Sequence, residues 1–123
     1  MKIGIDVTFL FDQYARRGIG TYAREVISRM VVNGENEWVL FGFRDQKSNL
    51  RELQVKAAKN IKFVSLGKPR KSTITNPLFF KTQFQPKLKK ASLDMFFTPH
   101  FERGLPLNIT KTAVMVHDAI PFL

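Results

Sequence analysis

Residues 2–7 (KIGIDV) and residues 18–32 (GIGTYAREVISRMVV) predict a buried strand followed by an amphipathic helix. The first segment is short, apolar and β-branched, as in strands that are covered on both faces of a sheet. In the second, apolar residues recur every three or four positions, so one side of a helix is apolar. Glu25 and Arg29 on the polar side are spaced for an ion pair, and Asn33-Gly34 is expected to end the helix in a left-handed conformation. The predicted apolar stripe consists of Ile19, Tyr22, Ala23, Val26, Ile27, Met30 and Val31.

Strands and helices alternate along the rest of the chain. Strands are predicted at residues 37–43, 61–66, 94–98 and 111–117, and helices at residues 49–58 and 76–91, the second interrupted at Pro86. In the helix at 49–58, Leu50, Leu53 and Ala57 are expected to face inward. Near-continuously apolar strands that alternate with helices predict an α/β fold, a Rossmann-like parallel sheet with helices on both faces.

Composition limits the class of protein. The 123 residues are enough for one domain, and 44% hydrophobic residues with twelve phenylalanines provide material for a core. The absence of cysteine excludes disulfides, thiol nucleophiles and cysteine-ligated metals and fits a cytoplasmic location. Asp6 interrupts the first apolar run and no small-residue cleavage site follows, so we expect no signal peptide. The formal net charge of +10 predicts attraction to phosphate-bearing partners, although a basic solvated surface explains it equally well.

Two glycines open the first helix. Gly18-Ile19-Gly20 formally matches the start of a dinucleotide fingerprint, with Asp45 as the acid that holds the ribose. Ten residues separate Val7 from Gly18, however, whereas the fingerprint requires a tight turn directly after the strand. Backbone N–H groups at a glycine-rich helix start, beside two arginines at 16–17, can still hold a phosphate or carboxylate. A glycine N-cap without any ligand is an equally weighted interpretation.

Two predicted strands end in histidine. His117, followed by Asp118, and His100, preceded by Pro99, lie at carboxyl ends of strands, where parallel sheets bind ligands. His117 could donate a hydrogen bond or act as a base, or it could simply bond a nearby backbone group. Two histidines and one acid without helical spacing give no recognisable metal site, so no metal is expected.

The basic segments GKPRKS (67–72) and FFKTQFQPKLKK (79–90) combine lysines with phenylalanines. Such segments can stack nucleic-acid bases or lie on a membrane surface. We favour the other interpretation, an amphipathic surface helix, because Leu78, Phe79 and Phe84 fit a core-facing stripe.

Three motifs together resemble a known family. They are G-I-G-x-Y-x-R-E at residues 18–25, D-x-x-F-x-P-H at 94–100 and V-H-D-x-I-P at 116–121. In this order they resemble the N-terminal domain of the group 1 (family 4) retaining glycosyltransferases, which have the GT-B fold. The resemblance covers most of the chain and is thin between about residues 44 and 92.

The resemblance implies one half of an enzyme with two Rossmann-like domains, in which this half binds the acceptor and the other binds the nucleotide-sugar. The turn Arg17, Gly18, Ile19 and Gly20 then faces the cleft near the donor diphosphate. His117 lies near the transferred sugar as the catalytic residue. Pro99, His100 and Asp118 are expected on the cleft or acceptor side.

The implied partners are a nucleotide-sugar, which is a substrate, and a glycan, polysaccharide or lipid-linked acceptor. No cofactor, no metal and no specific nucleic acid are expected, and the implied location is cytoplasmic, with peripheral contact at the inner membrane face.

The sequence departs from the family pattern in two places. Arg17 stands where many members have the first of two adjacent glycines. The donor-binding E-x7-E segment has no counterpart in these residues, so we expect the chain to be a truncated part of a larger enzyme and inactive alone. The alternatives are a non-catalytic basic domain that binds nucleic acid or other phosphate-bearing partners and, less favoured, a dinucleotide-binding oxidoreductase.

Overall fold

A computed structural model describes residues 1–11, 15–69, 77–99 and 106–115. The strands are β1 (Lys2–Asp6), β2 (Glu37–Gly42), β3 (Ile61–Ser65), β4 (Met95–Thr98) and β5 (Lys111–Val114). The helices are α1 (Gly18–Val31), α2 (Gln46–Leu53), α3 (Pro77–Phe79) and α4 (Gln85–Ala91); a 3-10 helix spans Thr8–Phe11, and a π-helical segment, Phe80–Phe84, joins α3 to α4.

All five strands are parallel and lie in the order β3-β2-β1-β4-β5. Alternate residues of β2 point to opposite faces of this sheet. Leu40 belongs to the cluster formed with α1 and α2, whereas Phe41 belongs to the cluster formed with the α3–α4 segment. Helices therefore cover both faces, and the predicted Rossmann-like α/β sheet is confirmed.

The first helix follows the predicted stripe with one exception. Ala23, Ile27 and Val31 are buried, and the side chains of Glu25 and Arg29 approach to 3.8 Å as the spacing predicts. Tyr22 was placed on the stripe, but it is 59% exposed, because it lies to one side of the buried line that runs through Ala23 and Ile27.

Three helix ends differ from the predictions because local hydrogen bonds set them. The C-cap of α1 is Val32 in a right-handed conformation, so the predicted left-handed Asn33-Gly34 end is wrong. The predicted helix at 49–58 spans 46–53 instead, since Asp45 caps its start and Gln54 ends it with a φ of 57°. Ala57 is consequently exposed rather than inward.

The long basic segment remains helical across Pro86. This proline lies in the first turn of α4, directly after the π-helical segment. The predicted interruption is therefore a widened helical turn and not a break in the helix. Phe84 is buried against Phe41 and Phe96, with ring centroids 5.6 and 5.8 Å away. Leu78, predicted to face the core, is 62% exposed. In the part of the chain that the structure describes, no helix is both long and apolar enough to cross a membrane.

Candidate functional site

The strand order defines one edge of the sheet as the place for a ligand. From β1 the chain proceeds through α1 to β2 on one side, while β4 pairs with β1 on the other side. In open parallel sheets, the carboxyl ends of two such strands flank a crevice that binds ligands. The segment after β1, the start of α1 and the end of β4 all lie at this carboxyl edge.

Arg17 is the N-cap of α1, with φ −92° and ψ 168°. Its carbonyl accepts a hydrogen bond from the Thr21 N–H at 3.0 Å, but its side chain makes no capping hydrogen bond within the described residues. The cap is therefore Arg17 and not a glycine, because Gly18 is already the first helical residue. The interpretation that this helix start needs no ligand stays a prediction. The backbone N–H groups of the first turn are oriented outward along the helix axis, as at any helix start.

The two glycines of this turn have different surroundings. Gly18 is exposed, and a Cβ built on it would meet no atom within 4 Å. Gly20 is buried within the face that α1 turns to the core, and Ile19 is half-buried. Gly18 is thus open to the solvent side, whereas Gly20 is buried.

Positive charge accompanies the open side of the turn. Arg16 and Arg17 are both exposed, directly before the helix start. The partial positive charge of the α1 N-terminus adds to these two full charges. An anion at this position would therefore meet backbone donors, a helix dipole and guanidinium groups together.

A buried polar cluster fixes the crevice between β1 and β4. The Asp6 carboxylate, 3% exposed, accepts hydrogen bonds from the Thr8 backbone N–H at 2.9 Å and from the Thr8 hydroxyl at 2.6 Å. Its other oxygen accepts from the Thr98 hydroxyl at 3.1 Å. The sequence pattern did not indicate a role for Asp6 in this crevice. An acid at the end of a buried strand, two residues before a threonine, was the available signal for a local turn.

The predicted site residues fall into two groups. The structure brings Arg17, Gly18, Ile19 and Gly20 to the same edge of the sheet as Pro99, which is buried directly after β4. His100, His117 and Asp118 lie outside the described residues. The predicted catalytic and acceptor-side roles of these three therefore stay predictions.

Asp45, the acid that the dinucleotide interpretation assigns to the ribose, is the N-cap of α2. Its two carboxylate oxygens accept hydrogen bonds from the Ser48 backbone N–H at 2.8 Å and from the Ser48 hydroxyl at 3.0 Å. These hydrogen bonds lower the pKa of the Asp45 carboxyl below its ordinary value. A capping role accounts for this acid without a ribose, which weakens the dinucleotide hypothesis further.

The aromatic residues of the basic segment are not placed to stack nucleic-acid bases. Phe80 and Phe84 are buried, and Phe79 packs on Phe43 with ring centroids 5.9 Å apart. The helix presents lysines instead, with Lys81 and Lys89 among the exposed residues. The preferred interpretation as an amphipathic surface helix agrees with this arrangement.

Within residues 1–11, 15–69, 77–99 and 106–115, no group of three or more His, Cys, Asp or Glu side chains could hold a metal ion. No protein-family model matches this chain, and neither the curated proteins nor the solved structures include a significant match.

Proposed function

We propose that the chain is the acceptor-side domain of a retaining glycosyltransferase that moves a sugar from a nucleotide-sugar donor to a glycan, polysaccharide or lipid-linked acceptor. A second domain that binds the nucleotide-sugar completes this GT-B enzyme. The observation that carries the proposal is the start of α1: an open glycine, Gly18, beside two exposed arginines, at the carboxyl edge of a parallel sheet.

The chemistry follows from what this turn can do. Transfer of a sugar releases a nucleoside diphosphate, so negative charge develops on the leaving oxygen. First-turn N–H groups and the Arg17 charge stabilise that diphosphate more strongly as its charge grows, which accelerates the reaction. The open position of Gly18 allows the backbone to approach phosphate oxygens closely.

The remaining roles come from the family resemblance. His117 contacts the transferred sugar, and Pro99, His100 and Asp118 line the acceptor side of the cleft. The 123 residues alone transfer no sugar, since the E-x7-E segment of the donor site would lie in the second domain.

The first test is the mass of the native polypeptide in its source cells, measured with an antibody to this chain. A product several hundred residues long is expected, and it is then assayed for transfer from a panel of nucleotide-sugars. His117→Ala should lower kcat by about a hundredfold or more, as for loss of a group that acts in the transition state. A native product that ends at Leu123, or full activity in His117→Ala, would refute the proposal.

The second candidate is a non-catalytic domain that binds nucleic acid through its lysines, and the exposed positions of Lys81, Lys89 and Lys90 favour it. Binding to an oligonucleotide should then weaken steeply as salt rises. Replacement of these three lysines with glutamine should reduce the slope of that salt dependence. Weak retention with a shallow slope would exclude this candidate.

A further inference from the structure

A second feature of the carboxyl edge lies beside the ends of β2 and β3. It is an open pocket of about 520 Å³, lined by Arg44, Asp45, Ser48, Lys68 and Pro69. A volume of this order accommodates a small organic molecule rather than a lone ion. Among the five described lining residues, two are cations and one is a carboxylate.

The negative charge of the lining is already engaged. Both oxygens of Asp45 accept hydrogen bonds from Ser48 at the start of α2. Among the described residues, the ion pairs are Arg24–Glu52, Arg29–Glu25 and Lys62–Glu37. Neither Arg44 nor Lys68 therefore pairs with a described carboxylate, and the pocket presents net positive charge.

The backbone holds Arg44 in an unusual conformation. Its φ is 63°, in the left-handed region that disfavours every residue with a Cβ. Its N–H donates to the Gly67 carbonyl at 2.8 Å, and its carbonyl accepts from the Ser65 hydroxyl at 2.7 Å. Strained residues that the surrounding structure fixes in this way are concentrated at functional sites.

The side chain of Arg44 is fixed as well. Its guanidinium carbon lies 4.9 Å from the centroid of the Phe11 ring, so the cation lies over the face of this ring. A guanidinium carries five N–H donors in one plane, which can bind oxygen atoms of an anion two at a time. Lys68 adds a second positive charge on the same pocket.

We propose that this pocket binds the phosphate group of a small phosphorylated organic molecule, with Arg44 as the bidentate donor and Lys68 as the second cation. We infer further that this molecule is the acceptor of the transferred sugar, and this step rests on the proposed function. Phosphate binding itself does not rest on it, because the pocket lining supplies the interactions.

The test is an NMR titration of the 123-residue chain with glucose 6-phosphate, with inorganic phosphate and with glucose. We expect glucose 6-phosphate to shift the backbone amide signals of Arg44, Ser48 and Lys68 more strongly than those of other residues. Inorganic phosphate should shift the same signals at higher concentration, and glucose should leave them unchanged. If glucose shifted these signals as much as glucose 6-phosphate does, the assignment of the pocket to a phosphate group would be wrong. If inorganic phosphate bound as tightly as glucose 6-phosphate, the inference of an organic ligand would be wrong.

Three variants sharpen this experiment. Arg44→Gly removes the guanidinium but relieves the left-handed backbone, so it is expected to fold. Lys68→Gln and Lys59→Gln remove the same charge, but Lys59 is exposed near the amino end of β3, away from the pocket. Arg44→Gly and Lys68→Gln should each weaken glucose 6-phosphate binding about tenfold or more, as for loss of a hydrogen bond to a charged group, and Lys59→Gln should not.

Equal weakening by Lys59→Gln and Lys68→Gln would show that overall charge alone attracts the ligand and would overturn the pocket. Unchanged binding by Arg44→Gly would do the same. The titration contains no nucleotide-sugar, so a negative result does not contradict the proposed glycosyl transfer. A negative result in the transfer assay likewise does not contradict phosphate binding in the pocket.

Discussion

The substitution Gly18→Ala should affect stability and function in opposite directions. Gly18 is the first residue of α1, its φ is not positive, and no atom lies within 4 Å of the position of an added Cβ. The folded chain can therefore accept alanine without strain. In a glycosyltransferase, by contrast, the new methyl group would occupy the side from which the donor diphosphate approaches the backbone.

The size of each effect can be estimated from these surroundings. Alanine in place of glycine stabilises a helix interior by about 0.5–1 kcal/mol, and the lower value applies at a helix start. In a chain of this length, a gain of about 0.5 kcal/mol raises Tm by roughly 2 °C. A lost hydrogen bond between the backbone and a charged phosphate should reduce kcat/KM for the donor by about tenfold or more.

Gly34→Ala is the matched control for this measurement. Gly34 also has no atom within 4 Å of an added Cβ and no positive φ, but it follows the C-terminal end of α1, at the opposite edge of the sheet. Thermal denaturation and donor kinetics of the native enzyme are compared for both variants. Full activity of Gly18→Ala, or equal losses in both variants, would refute a donor-binding role for this turn, and a lower Tm for Gly18→Ala would refute the structural reasoning.

Three further substitutions test the fold around the pocket. Gly67→Ala should lower the free energy of unfolding by about 1 kcal/mol in urea denaturation. Gly67 has a φ of 88°, which strains a residue with a Cβ, whereas the added methyl group would meet no atom within 4 Å. Gly42→Ala should cost about 2 kcal/mol in the same measurement, since its Cβ would lie 2.6 Å from Asn49 Oδ1 inside the core. The lowered pKa of Asp45 stabilises the fold at neutral pH, and this contribution is lost as the pH falls below 3.8 through the folded pKa. The difference in Tm between wild type and Asp45→Asn should therefore shrink in acid; a constant difference would contradict the capping assignment.

Periodicity of apolar residues predicted the layers of the fold well, because burial is what the pattern encodes. The continuous apolar run of β2 places Leu40 and Phe41 on opposite faces, and each meets a helix. Helix ends were predicted less well. The helix predicted at 49–58 spans 46–53, because one capping side chain, Asp45, and one left-handed residue, Gln54, determine its ends independently of the apolar stripe. The predicted left-handed end at Asn33-Gly34 failed because the C-cap of α1, Val32, is right-handed.

The parts of the candidate site also differ in how far they could be predicted from the sequence. The glycine turn before α1 could be found in sequence, since its residues are consecutive and its chemistry belongs to one helix end. The cluster of Asp6 with Thr98 could not, because these residues are 92 positions apart and meet only when β4 pairs with β1. The pocket lined by Arg44 and Lys68 likewise requires β3 beside β2, and the position of Arg44 in it includes a contact with the Phe11 ring.

Both anion-binding proposals rest on local charge at the carboxyl edge rather than on the net charge of +10. Of the described residues, Asp6 ends β1 and Asp45 follows β2 at this edge, and both are engaged within the protein: Asp6 accepts hydrogen bonds from two threonines, and Asp45 caps α2. Four described cations at the same edge are exposed, namely Arg16, Arg17, Arg44 and Lys68. This edge therefore has a positively charged surface, because its acids bond to the backbone and side chains of the loops while its cations are exposed. Both anion-binding proposals depend on that arrangement.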